Sequence, residues 1–247
     1  MHQSGLELVG IHPSYIELSD DLLRRSRRKK DRRLGDHVKS LLHLWPLTPV
    51  SEPHFHYWSG FEDLSKGVLL SGYWQSPRYF SALQHRLHQI IKLEAILETC
   101  NQNFVETITR QKTVSVHIRR GDFTSSSAKA VHNIMEADYY DTARRMLEKT
   151  EEPDLYCIFS DAPDTAKEVL AHWDKTLFVD GNNQQQDLAL MGSCAHNIIA
   201  NSSFSWWAAM LNKNRNKKVY APKKWFTPQA LKTRSIENLF PEDWHVI

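Results

Sequence analysis

Two adjacent arginines, Arg119 and Arg120, stand where an apolar run of the sequence ends. The run is TVSVHI, and its alternation of β-branched with small or polar residues is typical of a buried strand. A guanidinium group is always charged, and its planar fork of N–H donors fits two oxygens of a phosphate. Fixed positive charge at this position therefore indicates a site for an anion such as a diphosphate.

The two arginines are not expected to play the same role. Neighbouring side chains of an extended chain point in opposite directions, so only one of them can share the ligand side with His117. We expect Arg119 to lie on that side and Arg120 to pair with an internal carboxylate such as Asp122. A structural ion pair is the alternative for both arginines. For His117 the alternative is a strand histidine whose hydrogen bonds are satisfied by the protein.

A second candidate anion site lies in NIIANSSFSWWAAML, where a buried strand leads through Asn201, Ser202 and Ser203 directly into an apolar helix. The first backbone N–H groups of a helix lack partners within the helix, and the helix dipole is positive there. The backbone at Phe204 and the serine hydroxyls could therefore hold an anion. Ordinary helix capping is the alternative, because asparagine and serine are the usual N-cap residues.

Strands and helices alternate from about residue 112 onward, with predicted helices between the strands. The predicted strands are Val114–Ile118, Leu155–Phe159, TLFVD, NIIA and KVYAP. This alternation predicts an α/β, Rossmann-like parallel sheet with helices on both faces. Ligands of such folds bind at the carboxyl ends of the strands, which places Asp161 at the same edge as Arg119.

The first hundred residues give a weaker pattern. Leu6–Ile11 predicts a short strand, GVLLSGYW predicts another, and apolar spacing predicts one long helix from about Pro77 to Glu98. The basic run RRSRRKKDRR, Arg24–Arg33, is typical of a solvated helix face. Contact of this run with an acidic partner or with lipid headgroups is the alternative.

Composition restricts the classes of function. Lysine and arginine number 31 against 29 acidic residues, and this balance argues against a general nucleic-acid coat. Three scattered cysteines, Cys100, Cys157 and Cys194, fit reduced thiols better than a disulfide framework or a zinc site. The sequence has no signal peptide and no apolar run near membrane-spanning length, so we expect a cytoplasmic protein. Peripheral docking on the inner face of the cytoplasmic membrane is left open.

Several blocks of the chain resemble those of the α-1,2-fucosyltransferases. HIRRGDF resembles the family's H-x-R-R-G-D-Y motif, with Phe123 in place of the usual tyrosine. The blocks GYWQSPRYF, DYYDTA, FSDAPD, HNIIANSSFSWWAAMLN and APKKWF stand in the family's order over roughly residues 60 to 247. The resemblance implies a two-domain GT-B glycosyltransferase. Such an enzyme transfers L-fucose from GDP-L-fucose to the 2-hydroxyl of a terminal galactose on a glycan, with inversion and without a cofactor or metal.

The resemblance also implies roles for particular residues. It assigns acceptor binding to an N-terminal domain over 1–105 and GDP-fucose binding to a Rossmann-like domain over 106–247. Arg119 would neutralise the β-phosphate as GDP leaves, with Arg120 and Asp122 supporting the site. The other donor-binding residues would be His117, Asp161, Asn201, Ser202, Ser203 and Phe204. On the acceptor side the candidates are Tyr73 and Trp74, whose aromatic faces suit sugar rings.

The absence of a metal has support in the sequence. Many enzymes that use sugar nucleotides hold a divalent cation with a D-x-D pair, and this chain contains no D-x-D. An arginine and a helix N-terminus would supply the positive charge instead.

The chain departs from the family near its start. The family's opening strand and its GGLGNQ-like loop have no counterpart, since Gly5, Gly10 and Gly35 are not clustered. We therefore expect an incomplete N-terminal α/β domain, and a truncated, non-catalytic GDP-sugar binder is the alternative function. A third hypothesis is an interaction module that acts through Arg24–Arg33, which the balanced net charge disfavours. Candidates for the catalytic base follow only by elimination and are Asp20, Asp21, Glu62 and Asp63.

Overall fold

The structure is a computed structural model that describes residues 48–64, 68–121 and 126–247. The described residues form two compact units. The larger comprises Ala82–Thr233, as far as it is described, with Phe240–Ile247, and the smaller comprises 48–81 with Arg234–Leu239. Several positions singled out in the sequence lie outside the described residues, namely Leu6–Ile11, Asp20, Asp21, Arg24–Arg33 and Asp122.

Eight strands are present in the described part of the chain. They are β1 (Thr48–Ser51), β2 (Val68–Ser71), β3 (Thr113–Ile118), β4 (Leu155–Ser160), β5 (Thr176–Phe178), β6 (His196–Ile198), β7 (Val219–Ala221) and β8 (His245–Val246). The larger unit holds a six-stranded parallel sheet in the order β5-β4-β3-β6-β7-β8. The predicted α/β class and parallel sheet are thereby confirmed, and β8 is a strand that the sequence pattern did not reveal.

The described residues also contain eight α-helices. They are α1 (Gln84–Ile90), α2 (Leu93–Leu97), α3 (Gln102–Arg110), α4 (Ser126–Lys129), α5 (Ala137–Glu148), α6 (Pro163–Val169), α7 (Gln184–Ser193) and α8 (Ser203–Leu211). None of them is both long and apolar enough to cross a membrane. The expected cytoplasmic location remains a prediction.

Both faces of the sheet are covered because the central strands alternate apolar side chains between two cores. Val114, Val116 and Ile118 of β3 pack in one buried cluster that includes side chains of α5 and α6. Cys157 and Phe159 of β4 point to the opposite face, where the cluster includes residues of α3, α7 and α8. All six residues of β3 are buried, as is usual for a central parallel strand.

A buried amide fixes helix α7 to the sheet. Asn197 of β6 donates from Nδ2 to Ser115 Oγ of β3 at 2.7 Å and to the Met191 carbonyl of α7 at 2.9 Å. Its Oδ1 accepts from Asn212 Nδ2 at 2.9 Å. Since a buried polar group is costly unless it is hydrogen-bonded, this satisfied network holds two strands and a helix in one arrangement.

The single long helix predicted over Pro77–Glu98 is wrong. The segment has a 3-10 stretch over Pro77–Leu83 that is kinked at Phe80, and α1 and α2 are separated by Ile91 in an extended conformation. The physical reason is packing. Leu93 and Ile96 are buried against Ala189 of α7 and Leu211 of α8, whereas Leu83 and Ile90 are exposed, so the apolar positions do not share one helical face.

The smaller unit contains β1 and β2 as a parallel pair. The backbone continues the pairing beyond β1, because the N–H of Glu52 donates to the Ser71 carbonyl at 2.8 Å. The predicted domain boundary between 105 and 106 stays a prediction, since residues 1–47 lie outside the described part of the chain.

Candidate functional site

A cavity of about 310 Å³ opens at the carboxyl edge of the parallel sheet in the larger unit. The ends of β3 and β4 form one side of it, and the first turns of α7 and α8 contribute the rest of its lining. This is the position at which ligands bind to open parallel α/β sheets. His117, Arg119, Asp161, Ser202, Ser203 and Phe204, all predicted from the sequence, line this one cavity.

The turn after β3 is held by one carboxylate, that of Asp161, which directly follows β4. Arg119 Nη1 lies 3.1 Å from Asp161 Oδ2, and the backbone N–H of Arg120 donates to Asp161 Oδ1 at 2.8 Å. The next residue, Gly121, leaves room for this approach, because a Cβ there would stand 2.5 Å from Asp161 Oδ2. Asp161 therefore sets the direction of the Arg119 side chain at the cavity wall, and both of its oxygens already have partners.

Arg120 points away from this wall and does not line the cavity. Its side chain is buried, and its Nη2 lies 3.1 Å from Oε2 of Glu136, a carboxylate that is largely exposed. Among the described residues Arg120 therefore pairs with the exposed Glu136 and not with an internal carboxylate as expected, while Asp122, the suggested partner, is not described. Opposite directions for Arg119 and Arg120 follow from the extended backbone at the end of β3.

His117 is buried beside the cavity and stands edge-on to Phe204, with 5.8 Å between ring centroids. Within the described residues its Nδ1 has no hydrogen-bond partner. Burial lowers the pKa of His117 to about 4, although the Asp161 carboxylate acts in the opposite direction. The ring is therefore neutral at neutral pH, and its Nδ1 is available to a ligand as a donor or an acceptor, according to the tautomer.

The first turn of α8 combines the two roles considered for Ser202. Ser202 is the N-cap, and its Oγ accepts from the Phe204 N–H at 3.3 Å. Ser203 is exposed at the helix start and lines the cavity. The positive end of the α8 dipole therefore faces the same space as Arg119.

Asn201 does not line the cavity, in contrast to its predicted contact with a ligand. Its buried side chain donates from Nδ2 to the Asn133 carbonyl at 2.7 Å and to the Trp225 carbonyl at 3.0 Å. Both hydrogens of the amide are used in these bonds, so Asn201 joins two loops at the edge of the sheet. These partners are distant in sequence, so the sequence gives no signal for this role.

Asp187 also lines the cavity, although no motif in the sequence predicts it as a site residue. It lies in the first turn of α7, and its Oδ1 accepts from Asn182 Nδ2 at 3.2 Å. Burial raises the pKa of Asp187 to about 6, against the smaller opposing effect of the Asn182 hydrogen bond. A capping box between Asn183 and Gln186 fixes the start of the helix. The available signal was an acidic residue in the first turn of a helix predicted to follow a strand.

The two predicted acceptor residues, Tyr73 and Trp74, belong to the smaller unit and follow β2. Glu62, a candidate base, is exposed in the same unit and accepts from Tyr57 Oη at 2.9 Å. Over the described residues, no group of three or more histidine, cysteine, aspartate or glutamate side chains could hold a metal ion.

The chain is similar in sequence to known proteins. Residues 56–247 match the sequence model of the family described as Glycosyl transferase family 11. The chain is 33% identical over 192 residues to an alpha-1,2-colitosyltransferase of Escherichia coli, a match that covers 74% of this chain and 63% of that protein.

Two further relatives are also named as glycosyltransferases. The chain is 31% identical over 172 residues to the O-antigen biosynthesis glycosyltransferase WbnK of Escherichia coli, covering 66% of this chain and 57% of the relative. It is 28% identical over 179 residues to the galactoside alpha-(1,2)-fucosyltransferase 1 of Homo sapiens, covering 66% and 49%. The chain thus spans about half to somewhat under two thirds of the length of these relatives.

Proposed function

The chain belongs to glycosyl transferase family 11, and on that premise we propose that it transfers L-fucose from GDP-L-fucose to the 2-hydroxyl of a terminal galactose on a glycan. The observation that carries the proposal is the convergence of Arg119, the start of α8 and Asp187 on one cavity of about 310 Å³. Arg119 and the start of α8 suit a diphosphate, and Asp187 suits a nucleobase that donates hydrogen bonds.

Arg119 and α8 are proposed to bind the diphosphate. As the bond between the sugar and GDP breaks, negative charge develops on the β-phosphate. A preoriented guanidinium and a helix N-terminus stabilise that charge without reorganising, which is the kind of electrostatic effect that accelerates many enzymatic reactions. We propose an inverting displacement, in which the acceptor hydroxyl attacks the anomeric carbon from the face opposite the leaving GDP and gives its proton to a general base.

Asp187 is proposed to recognise guanine. The Watson–Crick edge of guanine presents two adjacent donors, N1–H and N2–H, and an ionised carboxylate is an acceptor-only group that matches both. Asp161 lines the same cavity but is less suited to this role, because Arg119 and the Arg120 N–H already use its oxygens. Adenine presents an acceptor at N1, which would face the carboxylate unfavourably. His117 Nδ1 is proposed to bond to the base or the ribose.

We further propose that transfer needs no metal ion. The argument rests on the positive charge that Arg119 and the α8 N-terminus direct at the cavity, which would balance the diphosphate. Transfer rates in EDTA and in added Mg²⁺ or Mn²⁺ should then agree within a factor of about two. A rate that depends on the added cation would contradict this part of the proposal.

Colitose is a second candidate for the transferred sugar. The observation that favours it is the name of the relative with 33% identity, an alpha-1,2-colitosyltransferase. Colitose is fucose without the 3-hydroxyl, so both sugars have the same shape around the anomeric carbon. Competition between the GDP derivatives of the two sugars in one transfer assay would decide between them.

The first experiment is a calorimetric titration with GDP, UDP and ADP in EDTA. We expect GDP to bind with micromolar affinity and the other two to bind at least ten times more weakly, about 1.4 kcal/mol per factor of ten. GDP binding accompanied by transfer to a β-galactoside supports the proposal in full. GDP binding without transfer to any galactoside would identify a non-catalytic binder, and absence of GDP binding would overturn the proposal.

A further inference from the structure

The smaller unit also has a carboxyl edge of parallel strands, at the ends of β1 and β2, and a buried carboxylate lies there. These strands are parallel, so Glu52, which follows β1, and Gly72, which follows β2, stand at the same edge. Residues 72–76 form a turn there, with the sequence Gly-Tyr-Trp-Gln-Ser. Carboxyl edges of parallel strands are the usual positions of ligands.

The Glu52 side chain holds the backbone of this turn. The buried carboxylate accepts from the Tyr73 N–H at 2.8 Å through Oε2 and from the Trp74 N–H at 3.1 Å through Oε1. Gly72 permits the approach, since a Cβ there would lie 2.4 Å from Glu52 Cβ. The charge of Glu52 is therefore used to shape the backbone of the turn.

The conformation that Glu52 holds is strained. Trp74 has a φ of +50°, in the left-handed region, and Asn238, whose carbonyl accepts from Ser76 Oγ at 2.7 Å, has a φ of +57°. A left-handed non-glycine residue costs about 1–3 kcal/mol and persists only where its surroundings enforce it. Asn238 is a partner in that hydrogen bond and Trp74 lies two residues before Ser76, so two left-handed residues meet at one contact, which indicates a turn shaped for a task other than stability.

Two buried donors in this turn have no partner among the described residues: Trp74 Nε1 and Gln75 Nε2. Gln75 is 5% exposed, and a buried donor without an acceptor costs about 1–3 kcal/mol. The Trp74 ring cannot easily turn to find one, because it packs against Phe61 and Tyr79 with centroid separations of 5.6 and 5.4 Å. Two donors from consecutive residues, one of them on a ring fixed by packing, thus lack acceptors within the described part of the chain.

The residue that precedes these donors in the chain carries an exposed aromatic ring. Tyr73 is 70% exposed, and it stands edge-on to Phe55 at 5.8 Å. A pyranose presents hydroxyl oxygens at its rim and an apolar C–H face, so it can use both the donors and an aromatic surface. A phosphate fits less well, because the buried Glu52 carboxylate would repel it.

We propose that the turn 72–76 is a carbohydrate subsite that binds the terminal galactopyranoside of the acceptor, with Trp74 Nε1–H and Gln75 Nε2–H donating to its hydroxyl oxygens. This inference rests on the proposed function; to the acceptor candidates Tyr73 and Trp74 it adds the donor atoms, Gln75 and the supporting Glu52. Tyr73 supplies an aromatic face to the sugar ring. Glu52 is a positioning residue, since it acts on the sugar only through the backbone of the turn.

The test separates acceptor binding from donor use on the full chain. Release of GDP from GDP-fucose is measured without acceptor, as hydrolysis, and with lactose and methyl β-galactoside as probes. We expect Trp74→Phe and Gln75→Met to raise the KM for lactose about tenfold, as one lost hydrogen bond to a buried donor would. The KM for GDP-fucose and the hydrolysis rate should stay within a factor of about two.

Tyr57→Phe serves as the matched control. It also removes one polar group from the aromatic cluster that is formed by Tyr57, Phe61, Trp74 and Tyr79, but that hydroxyl bonds to the exposed Glu62. We expect this variant to keep the parent KM for lactose. A rise equal to that of Trp74→Phe would mean that the cluster acts through packing alone and would overturn the assignment of Nε1.

A measurement on the unaltered side chain covers the case in which the variants fold poorly. With 15N-labelled tryptophan, the Trp74 indole N–H resonance should move downfield as lactose is added in the presence of GDP. A parent that hydrolyses GDP-fucose but shows neither this shift nor acceleration by a galactoside overturns the inference and leaves the donor function standing. A parent that does not bind GDP removes the proposed function and the inference with it.

Discussion

The carboxylate of Asp161 lies 3.1 Å from the guanidinium of Arg119, measured from Oδ2 to Nη1, while its other oxygen accepts the backbone N–H of Arg120. One side chain from the end of β4 thus orients both the side chain and the backbone at the end of β3. A diphosphate that enters the cavity would meet an arginine whose direction is already set. The Asp161 carboxylate partly neutralises the Arg119 guanidinium, and a bound diphosphate would compete with Asp161 for this guanidinium.

Gly121→Ala should disturb this arrangement. The added Cβ would stand 2.5 Å from Asp161 Oδ2 and 3.1 Å from Cγ, so the carboxylate must move away from Arg119. We expect the free energy of unfolding to fall by about 1–3 kcal/mol, which is usual for overpacking, and GDP to bind more weakly. Urea unfolding and calorimetric titration measure the two effects.

A double-mutant cycle with Asp161→Ala checks the cause. Removal of the carboxylate also removes the clash, so Gly121→Ala should have little further effect on stability in the Asp161→Ala background. Strict additivity of the two changes would show that the alanine acts on the backbone of the turn and not through Asp161.

Arg119→Ala should weaken GDP binding by a factor of about 10–100, since hydrogen bonds to charged groups contribute about 1.5–3 kcal/mol. Arg119→Lys should recover only part of the loss, because an ammonium group lacks the planar fork. The matched control is Arg145→Ala, an exposed arginine on α5 that contacts Thr142. Equal affinities for the parent and Arg119→Ala would remove Arg119 from the diphosphate site.

Asp187→Asn should stabilise the ligand-free protein at neutral pH. Burial raises the pKa of Asp187 to about 6 from an ordinary 3.8, so the native state binds the proton more tightly than the unfolded chain does. The free energy of unfolding of the parent therefore decreases as the pH rises from about 4 to about 6. The Asp187→Asn variant does not lose this stability, because asparagine does not titrate. We expect the variant to have the higher Tm at about pH 7.5 and nearly the parent Tm at about pH 4.

The same variant should lose its preference for guanine. The asparagine amide is neutral and can accept from only one of the two guanine donors, whereas the carboxylate is charged and accepts from both. GDP and ADP should therefore bind to the variant with similar affinity. In the parent, the ratio of the ADP and GDP dissociation constants should fall as the pH drops below about 6, because protonation of Asp187 converts an acceptor into a donor. ADP carries the same diphosphate as GDP, so protonation of the diphosphate affects both dissociation constants equally and cancels in their ratio. An unchanged ratio in Asp187→Asn would exclude the carboxylate from base recognition.

His117 should contribute a pH dependence of the opposite sign. Burial lowers its pKa to about 4 from 6.5, so the unfolded chain binds the proton more readily, and stability is lost as the pH falls from about 6.5 to about 4. Between about pH 7 and pH 5 the stability advantage of the parent over His117→Leu should shrink by roughly 2 kcal/mol. Because Asp187 acts oppositely in this range, urea unfolding is best compared in the Asp187→Asn background. A constant difference at both pH values would contradict the neutral, buried state of His117.

The sequence allowed the sheet and one side of the cavity to be predicted, because the information is local. Alternation in TVSVHI, the strand at Leu155 and the passage from NIIA into a serine-capped helix each lie within a few residues. Since parallel strands bring their carboxyl ends to one edge, Arg119, Asp161 and Ser203 could be placed together.

The remaining features depend on contacts between distant residues. Asp187 reaches the cavity because α7 is held on the sheet by apolar packing and by Asn197, which bonds to both β3 and α7. Asn201 follows its strand as a ligand-binding residue would, yet its amide is used by the carbonyls of Asn133 and Trp225. No pattern within the segment distinguishes the two roles, since hydrogen bonding to a loop and to a ligand uses the same atoms.

The position of β3 has a consequence for the kinetics of folding. Ser115 stands between Cys157 on one side and Asn197, 82 positions along the chain, on the other. The central strand therefore cannot be enclosed until a long stretch of chain has been closed, and non-local parallel pairing of this kind folds slowly. The amide protons of β3 should be among the last to become protected during refolding and among the slowest to exchange once the native state is reached.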